Sequence, residues 1–303
     1  MLISFPGQVK RNIESPDATE EEPRMNHPEQ LSLPTSDDQA LLLRTVAAVQ
    51  AAGHAVKALF DPHARPQTLQ EIASTIEAND RVSMSILREA LSRARPGARW
   101  DDDEEGRGPL PDGEWWVCDP VEGAIHHIHG SPRWGVTATL VRDNVPVLTA
   151  IHLPLTGDTY TALRGGGAWL DGTALKASSK SDLRAAMVGT GQAAPGEGAA
   201  IYRRIGRSVS AMLEAALVVH VSVPSTMQLI DVAAGRQDLF WQYSQVRSGL
   251  VAGALLVAEA GGRATDLHGR PWQPDSGGFL AGAPALTAPA AAILAACDEE
   301  AGQ

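Results

Sequence analysis

The stretch DPVEGAIHHIHG, residues 119–130, places two carboxylates and three histidines directly after a predicted β-strand. The strand is WWVC, residues 115–118, whose aromatic and β-branched side chains favour extended backbone. Carboxylate oxygens are the ligands that hard divalent cations prefer, and imidazole titrates near neutral pH and can transfer protons. The sequence therefore predicts a functional site at the end of this strand. Its candidate catalytic residues are Asp119, Glu122, His126 and His127.

Helical patterns precede this strand, and further strand patterns follow it. The capping-box pattern SDDQ at 36–39 predicts the start of a helix that runs to Phe60, and a second helix is predicted over 68–94. Antiparallel strands are predicted at 115–119, 134–144, 145–154 and 158–164. The stretch GGGAWLDG at 165–172 predicts a turn and a short hairpin, because it lacks the Lys-Ser/Thr of a phosphate-binding loop.

The second half of the chain alternates between helix and strand. Helices are predicted over 199–216, 226–235, 248–262 and 284–300, and strands over 217–222, 237–242 and 277–282. A helix pair, an antiparallel sheet and then α/β units indicate a layered α/β fold. We expect one domain over 36–303, with halves at 36–180 and 181–303. The tail at 1–35 is expected to be disordered, because it is charged, proline-rich and poor in large apolar residues.

The composition narrows the class of protein. The net charge of −11 argues against a surface that binds nucleic acid or anionic membranes. Two cysteines among 303 residues argue against a disulfide framework and indicate a reducing, cytoplasmic location. No apolar run approaches about 18 residues, so no membrane-spanning helix is expected. We therefore expect a small-molecule substrate or ligand, and neither nucleic acid nor a membrane as a partner.

Four stretches, in this order, resemble the inositol monophosphatase family of magnesium-dependent phosphatases. They are D-R-V…P-G-A-R-W-D-D-D-E at 80–104, DPVEG at 119–123, GGGAWLDGTALKAS at 165–178 and SGLVAGALLVAEAGG at 248–262. Together they cover nearly all of the chain that is expected to be ordered. The resemblance implies an αβαβα sandwich, a homodimer and a cleft that holds Mg²⁺.

The resemblance also implies a set of metal ligands, several of which differ in this chain. Asp103 stands where the family has its first glutamate, and Glu122 stands where it has the second aspartate of the DPxDGT loop. Gly249 stands where the family has a third aspartate, and it has no side chain to replace that ligand. The implied ligands that remain are Asp103 with Glu104 beside it, Asp119, the carbonyl of Val121 and Glu122.

Positions that contact water and substrate in the family differ as well. Ala124 replaces a threonine that helps to orient the attacking water, whereas Asp80, the partner of that threonine, is retained. Gln242 replaces an acidic residue that contacts the polyol in some members. Asp80 is thus a further catalytic candidate, and the candidate substrate-binding residues are Gly123, Ala124, Arg133, Gln242 and Gly249.

These differences affect metal binding. Adding or removing one methylene moves the carboxylate oxygens by roughly 1–1.5 Å, whereas Mg²⁺ requires near-ideal octahedral geometry. We therefore expect ordinary magnesium-dependent phosphomonoester hydrolysis to be impaired, with one Mg²⁺ ion or none bound. A site built from a histidine with Asp119 and Glu122 would instead favour another divalent cation, such as Zn²⁺ or Mn²⁺.

Three functions remain open at this point. The first, which we favour because other titratable groups have entered the cleft, is an enzyme that acts on a small polar or phosphorylated metabolite by acid–base chemistry in a repurposed cleft. The second is a catalytically inactive relative that binds a ligand or a partner, and the third is a weak phosphatase that works with one metal ion. The acidic run at 101–105 is either a solvent-exposed loop or a loop that directs Asp103 and Glu104 into the site. His129 is expected to be structural.

Overall fold

The computed structural model describes residues 34–103, 106–193, 196–243 and 246–299. Two helices come first, α1 (Ser36–Lys57) and α2 (Leu69–Ala94), as the sequence predicted. Thr35 caps α1, because its hydroxyl accepts a hydrogen bond from the backbone N–H of Asp38 at 3.0 Å. The capping box predicted to begin at Ser36 is therefore wrong by one residue, since the preceding threonine supplies the capping oxygen. The predicted tail lies, up to residue 33, outside the described residues.

The first sheet has seven strands, which are antiparallel except at the short parallel edge that β1 forms. In spatial order they are β1 (Arg99–Trp100), β2 (Glu114–Glu122), β3 (Gly135–Arg142), β4 (Val145–His152), β5 (Thr159–Leu163), β6 (Gly167–Leu170) and β7 (Thr173–Ala174). The short helix α3 (Ala124–Ile128) connects β2 to β3. The four long strands and the hairpin that the sequence predicted are confirmed. The prediction missed β1, because two residues carry no pattern of their own.

The second half supplies five strands and four helices. The helices are α4 (Ala199–Ala215), α5 (Ser225–Ala233), α6 (Ser248–Glu259) and α7 (Pro284–Glu299). The strands are β8 (Met187–Thr190), β9 (Val218–Val221), β10 (Leu239–Gln242), β11 (Arg263–Thr265) and β12 (Phe279–Gly282). They form a second sheet in the order β11-β12-β10-β8-β9. The prediction missed β8 and β11, which are too short to show alternation.

The elements stack in five layers. Helices α1 and α2 pack on the outer face of the first sheet, α5 and α6 lie between the two sheets, and α4 and α7 cover the far face of the second sheet. This arrangement is the predicted αβαβα sandwich. None of the described helices is long and apolar enough to cross a membrane.

Helix α6 is covered on all sides, and Leu250 to Val257 are all buried. Gly253 lets α5 approach closely, because a Cβ at this position would lie 2.3 Å from the Cδ1 atom of Leu229. At the other end of the helix, the Glu259 carboxylate accepts hydrogen bonds from the backbone N–H groups of Gly165 and Gly167, each at 2.9 Å. The amides of this glycine turn therefore bind a carboxylate of the protein itself.

The approach of α5 to Gly253 gives a first prediction. Gly253→Ala should lower the free energy of unfolding by about 1–3 kcal/mol, because the methyl group would overlap Leu229. The matched control is Gly249→Ala in the same helix, where a Cβ would have no heavy atom within 4 Å. That control should be neutral or stabilising by up to about 1 kcal/mol, since alanine favours helix. Urea denaturation measures both, and equal effects of the two variants would contradict the prediction.

His152, at the end of β4, is buried beneath α1. Its Nδ1 atom is 3.0 Å from the hydroxyl of Thr159, and its ring centroid is 5.9 Å from that of His54 on α1. Burial, and secondly the nearby His54, lowers the pKa of His152 below its ordinary value. An imidazolium in this place would lose its hydration and face another imidazole. His152 is therefore neutral in the folded protein at neutral pH.

This buried histidine predicts how stability depends on pH. With a folded-state pKa below the unfolded one, stability is fully present above about pH 6.5 and falls as the pH drops, because the unfolded chain then binds more protons. As the pH falls from about 7.5 to 5.5, the melting temperature of His152→Gln should therefore decrease less than that of the wild type. The exposed His63 provides the control, since His63→Gln should keep the wild-type pH dependence. Identical curves for the wild type and His152→Gln would contradict the prediction.

Candidate functional site

Strand β2 ends in an irregularity that shapes the predicted site. Asp119 pairs with Thr137 and Glu122 with Gly135, so three residue steps on β2 oppose two on β3. The Oδ1 atom of Asp119 accepts a hydrogen bond from the backbone N–H of Val121 at 3.1 Å, which closes an Asx turn. Bulges of this kind change the direction of side chains at strand ends and are common beside functional sites.

Gly123 follows the bulge, at a position where a side chain would not fit. Its φ angle is 87°, and a Cβ would lie 2.6 Å from the carbonyl oxygen of Arg133. The glycine therefore has a conformational role, and it places Ala124 at the first position of α3. Val121 and Glu122 are only 2% and 3% exposed, so the loop is buried before it reaches the helix. The substrate contacts predicted for Gly123 and Ala124 stay predictions.

His126 connects the loop to two other segments. Its Nε2 atom donates to the carbonyl of Val223 at 2.8 Å, so Nδ1 accepts from the hydroxyl of Ser131 at 3.1 Å. His129 uses its Nδ1 atom to donate to the carbonyl of Ile125 at 2.8 Å, which fits the structural role expected for it. Both ring nitrogens of His126 are thus engaged with groups of the protein.

His127 lies in an aromatic cluster behind the loop. It is 2% exposed and packs edge-on against Trp134, with ring centroids 4.6 Å apart. Its Nε2 atom donates to the carbonyl of Val56 at 3.2 Å, and its Nδ1 atom accepts from the amide of Asn79 at 3.1 Å. Burial lowers the pKa of His127 below its ordinary value, so the ring is neutral. The acid–base role predicted for His126 and His127 stays a prediction.

A cavity of about 340 Å³ opens beside the loop, between α2, the acidic run and β2. Its polar lining includes Asp80, Arg81, Arg88, Asp101 and Asp102, and Pro120 borders it from the loop. Asp80 was singled out from the sequence, whereas the two arginines of α2 were not, although Arg81 directly follows Asp80 in the D-R-V stretch. Cys118 also borders the cavity, and burial raises the pKa of its thiol. The thiol is therefore uncharged and a poor nucleophile.

The described part of the acidic run, residues 101–103, is only partly exposed. Asp103 is exposed, and its backbone carbonyl accepts a hydrogen bond from the N–H of Gly106 at 2.8 Å. Glu104 lies outside the described residues. The side chain of Asp101, in contrast, is only 8% exposed. The interpretation of the run as a solvent-exposed loop is therefore wrong for Asp101, because a buried partner holds its carboxylate.

That partner is Arg247, which directly precedes α6 and whose side chain is 6% exposed. Its Nε atom donates to Oδ2 of Asp101 at 2.7 Å, and its Nη2 atom donates to Oδ1 at 2.9 Å. Its Nη1 atom donates to the carbonyl of Gly108 at 2.6 Å. Sequence reasoning missed this ion pair because 146 positions separate the two residues. The available signal was an arginine directly before a predicted helix.

The remaining candidate residues, Gly249, Gln242 and Arg133, do not line this cavity. Gly249 is in the first turn of α6, where its carbonyl accepts from the hydroxyl of Thr226 at 3.3 Å. Gln242 is buried at the end of β10, and its Oε1 atom accepts from the hydroxyl of Ser225. Arg133 is exposed between α3 and β3. Their roles in substrate binding stay predictions.

The described residues do not fit the Mg²⁺ ions that the resemblance implies. Hard cations need several oxygens clustered around one point. Within 34–103, 106–193, 196–243 and 246–299, no group of three or more His, Cys, Asp or Glu side chains could hold a metal ion. Of the implied ligands, Asp103 is exposed, a backbone N–H binds Oδ1 of Asp119, and Glu104 lies outside the described residues, whereas Gly249 supplies no oxygen.

Comparison with known proteins agrees with this fold. The chain matches the Inositol monophosphatase family over residues 37–299. An inositol-1-monophosphatase of Rhizobium meliloti (strain 1021) is 32% identical over 241 residues, which cover 77% of this chain and 89% of that relative. A putative Nus factor SuhB of Neisseria meningitidis serogroup B (strain ATCC BAA-335 / MC58) is 30% identical over 224 residues, covering 72% and 83%.

A solved structure of a similar protein has the same fold. Mycobacterium tuberculosis SuhB superposes with a TM-score of 0.71 at 24% identity, covering 87% of this chain and 98% of that one. At this identity the likeness concerns the fold alone, whereas the sequence match extends over nearly the whole described chain. This protein therefore belongs to the inositol monophosphatase family.

Proposed function

We propose that this protein binds a small polar or phosphorylated metabolite in the cavity beside α2 and the end of β2. In this proposal, magnesium-dependent phosphomonoester hydrolysis is strongly impaired. The protein is then a ligand-binding relative of the phosphatases, as the second of the three functions open from the sequence describes. The homodimer that the resemblance implies and the cytoplasmic location that the cysteine content indicates are part of the same proposal.

The ion pair between Asp101 and Arg247 is the observation that carries this proposal. It joins the acidic run to the start of α6, and the resemblance draws metal ligands from both of these segments. A carboxylate that accepts two hydrogen bonds from one guanidinium is not available to a cation. Gly249, two residues after Arg247, contributes no oxygen in its place. The two metal ions that supply the family's chemistry, activation of water and neutralisation of phosphate charge, would thus have fewer ligands in this chain.

The histidine contacts favour binding over a repurposed acid–base site. A general base needs a lone pair within hydrogen-bond reach of the proton that it removes from the substrate. In both His126 and His127, one ring nitrogen donates to a backbone carbonyl and the other accepts from a neighbouring side chain. Burial also keeps His127 neutral. These contacts support a role in holding the loop rather than in chemistry.

The lining of the cavity suits hydroxyl and phosphate groups. The carboxylates of Asp80 and Asp102 can accept hydrogen bonds from the hydroxyls of a ligand, and the guanidinium groups of Arg81 and Arg88 match phosphate oxygens. At present Arg81 pairs with Glu77, and Arg88 pairs with Asp102. Both pairs are substantially exposed, so they contribute little to stability. A phosphorylated polyol could therefore replace these partners without a large loss.

The names of the relatives are compatible with a family member that binds a ligand without hydrolysing it. Proteins of comparable similarity to this chain are named inositol-1-monophosphatase in one case and putative Nus factor SuhB in another. Membership of the family alone therefore does not decide whether hydrolysis is what a given member is used for.

Phosphate release tests the hydrolytic part of the proposal. The substrates are myo-inositol 1-phosphate and a panel of sugar and nucleotide monophosphates, each with and without Mg²⁺. We expect the wild type to release no more phosphate than Asp119→Asn, because the ligands for two metal ions are not brought together. Magnesium-dependent release by the wild type that is lost in Asp119→Asn would contradict the proposal and would support the one-metal phosphatase.

Calorimetric titration tests the binding part, with myo-inositol 1-phosphate as the probe and EDTA present. Arg88→Ala should weaken binding about tenfold or more, since a hydrogen bond to a charged group contributes roughly 1.5–3 kcal/mol. The control is Arg93→Ala on the same helix, because Arg93 pairs with Glu89 and is not among the residues that line the cavity. It should bind as the wild type does. Equal affinities of Arg88→Ala and the wild type, or no binding at all, would contradict the proposal.

A further inference from the structure

We infer that the guanidinium of Arg247 is a built-in cation that does the work of a divalent metal ion in this fold. It neutralises the buried carboxylate of the acidic run and ties that run to the start of α6. The consequence is a folded cleft that needs no divalent cation. This inference rests on the proposed function, in which the two metal ions of the family are not bound. It adds the identity of the group that replaces them.

The geometry of the contact is the first step. The guanidinium meets the Asp101 carboxylate as a two-pronged fork, with Nε to Oδ2 at 2.7 Å and Nη2 to Oδ1 at 2.9 Å. Both side chains are more than nine-tenths buried. A planar fork is the geometry in which arginine binds carboxylates most strongly, and lysine cannot reproduce it. The pair is thus built for this contact and is not an incidental surface pair.

The second step is that the loop closes around the arginine. Besides the fork, Nη1 donates to the carbonyl of Gly108 at 2.6 Å, and the backbone N–H of Arg247 donates to the carbonyl of Gly106 at 2.9 Å. A Cβ at position 106 would lie 2.4 Å from Nη2, so a glycine is needed there. One residue therefore makes four hydrogen bonds to the segment that contains the acidic run.

The third step concerns charge. A divalent cation together with one aspartate adds a single net positive charge, which is the charge of one guanidinium. The resemblance places that aspartate at position 249, and this chain has Gly249 there, with Arg247 two residues earlier. The exchange of an aspartate and its ion for one arginine therefore leaves the net charge at this end of the cleft unchanged.

The fourth step is that a cation in this position requires its partner. Arg247 stands at the N-cap of α6, where the helix dipole is positive and disfavours a positive charge. Asp101 offsets this, and a metal ion bound to Asp101 would leave a buried guanidinium unpaired, which is strongly unfavourable. Arginine and metal ion thus exclude each other at this carboxylate.

Thermal unfolding of the full chain tests the inference, with melting temperatures measured in EDTA, MgCl₂ and MnCl₂. The wild type should melt at the same temperature in all three. Arg247→Ala should lower the melting temperature by on the order of 10 °C, because it leaves Asp101 buried without its partner. Arg247→Lys should lie between the two, since lysine keeps the charge but not the fork. The control is Arg93→Ala, which breaks an exposed pair with Glu89 on α2 and should change little.

A double variant tests the equivalence of charge directly. Arg247→Ala/Gly249→Asp removes the guanidinium and restores the aspartate, for which position 249 has open space. Its melting temperature should rise when Mn²⁺ replaces EDTA, and the electron paramagnetic resonance signal of free Mn²⁺ should fall on titration with this variant but not with the wild type.

Several outcomes would overturn the inference. The first is a wild type that Mg²⁺ or Mn²⁺ stabilises or that binds Mn²⁺. The second is an Arg247→Ala variant as stable as Arg93→Ala, and the third is a double variant that does not respond to Mn²⁺. If Arg247→Ala does not fold, Arg247→Lys and the Mn²⁺ titration of the wild type still decide. A wild type that binds Mn²⁺ but releases no phosphate would defeat this inference and leave the impaired hydrolysis standing.

Discussion

Helix α6 lies between two sheets, and its burial on every side constrains the rest of the structure. Because Leu250 to Val257 are all buried among apolar groups, polar contacts can join this helix to neighbouring segments only near its two ends. Glu259 at one end binds the amides of the glycine turn at 165–167, and Arg247 at the other end binds Asp101 and the carbonyls of Gly106 and Gly108. The second of these contacts is what shapes the candidate site.

The ion pair at the start of α6 holds a buried carboxylate of the acidic run, and in our proposal it takes the place of a metal ion there. A buried carboxylate is held by whichever cation is available, and here that cation is covalently part of the chain. A buried pair of this kind adds little net stability compared with apolar packing, but losing one partner is costly, so the two residues depend on each other. Carboxylates and two exposed arginines line the cavity beside it.

The histidine-rich stretch shows which contacts local sequence leaves out. Three imidazoles near two carboxylates suggest proton transfer, yet Val223, Ser131, Val56 and Asn79 occupy the ring nitrogens of His126 and His127. The partners of His126 in this set include a residue 97 positions away, and one partner of His127 lies 71 positions away. Only folding brings such groups together, so spacing along the chain did not reveal them.

The sequence by itself determined the order of the elements and the layered architecture, because helix and strand periodicities are local and the family-like stretches occur in order. It also identified Asp80, which lines the cavity, and it showed that Gly249 has no side chain to offer as a ligand. Tertiary structure alone decided that His152 is buried beneath α1. It also decided which carboxylate of the acidic run is buried. It also decided that Arg247 is the partner of that carboxylate. The physical reason is that burial and charge pairing depend on which segments meet in space, and residues 146 positions apart carry no shared local pattern.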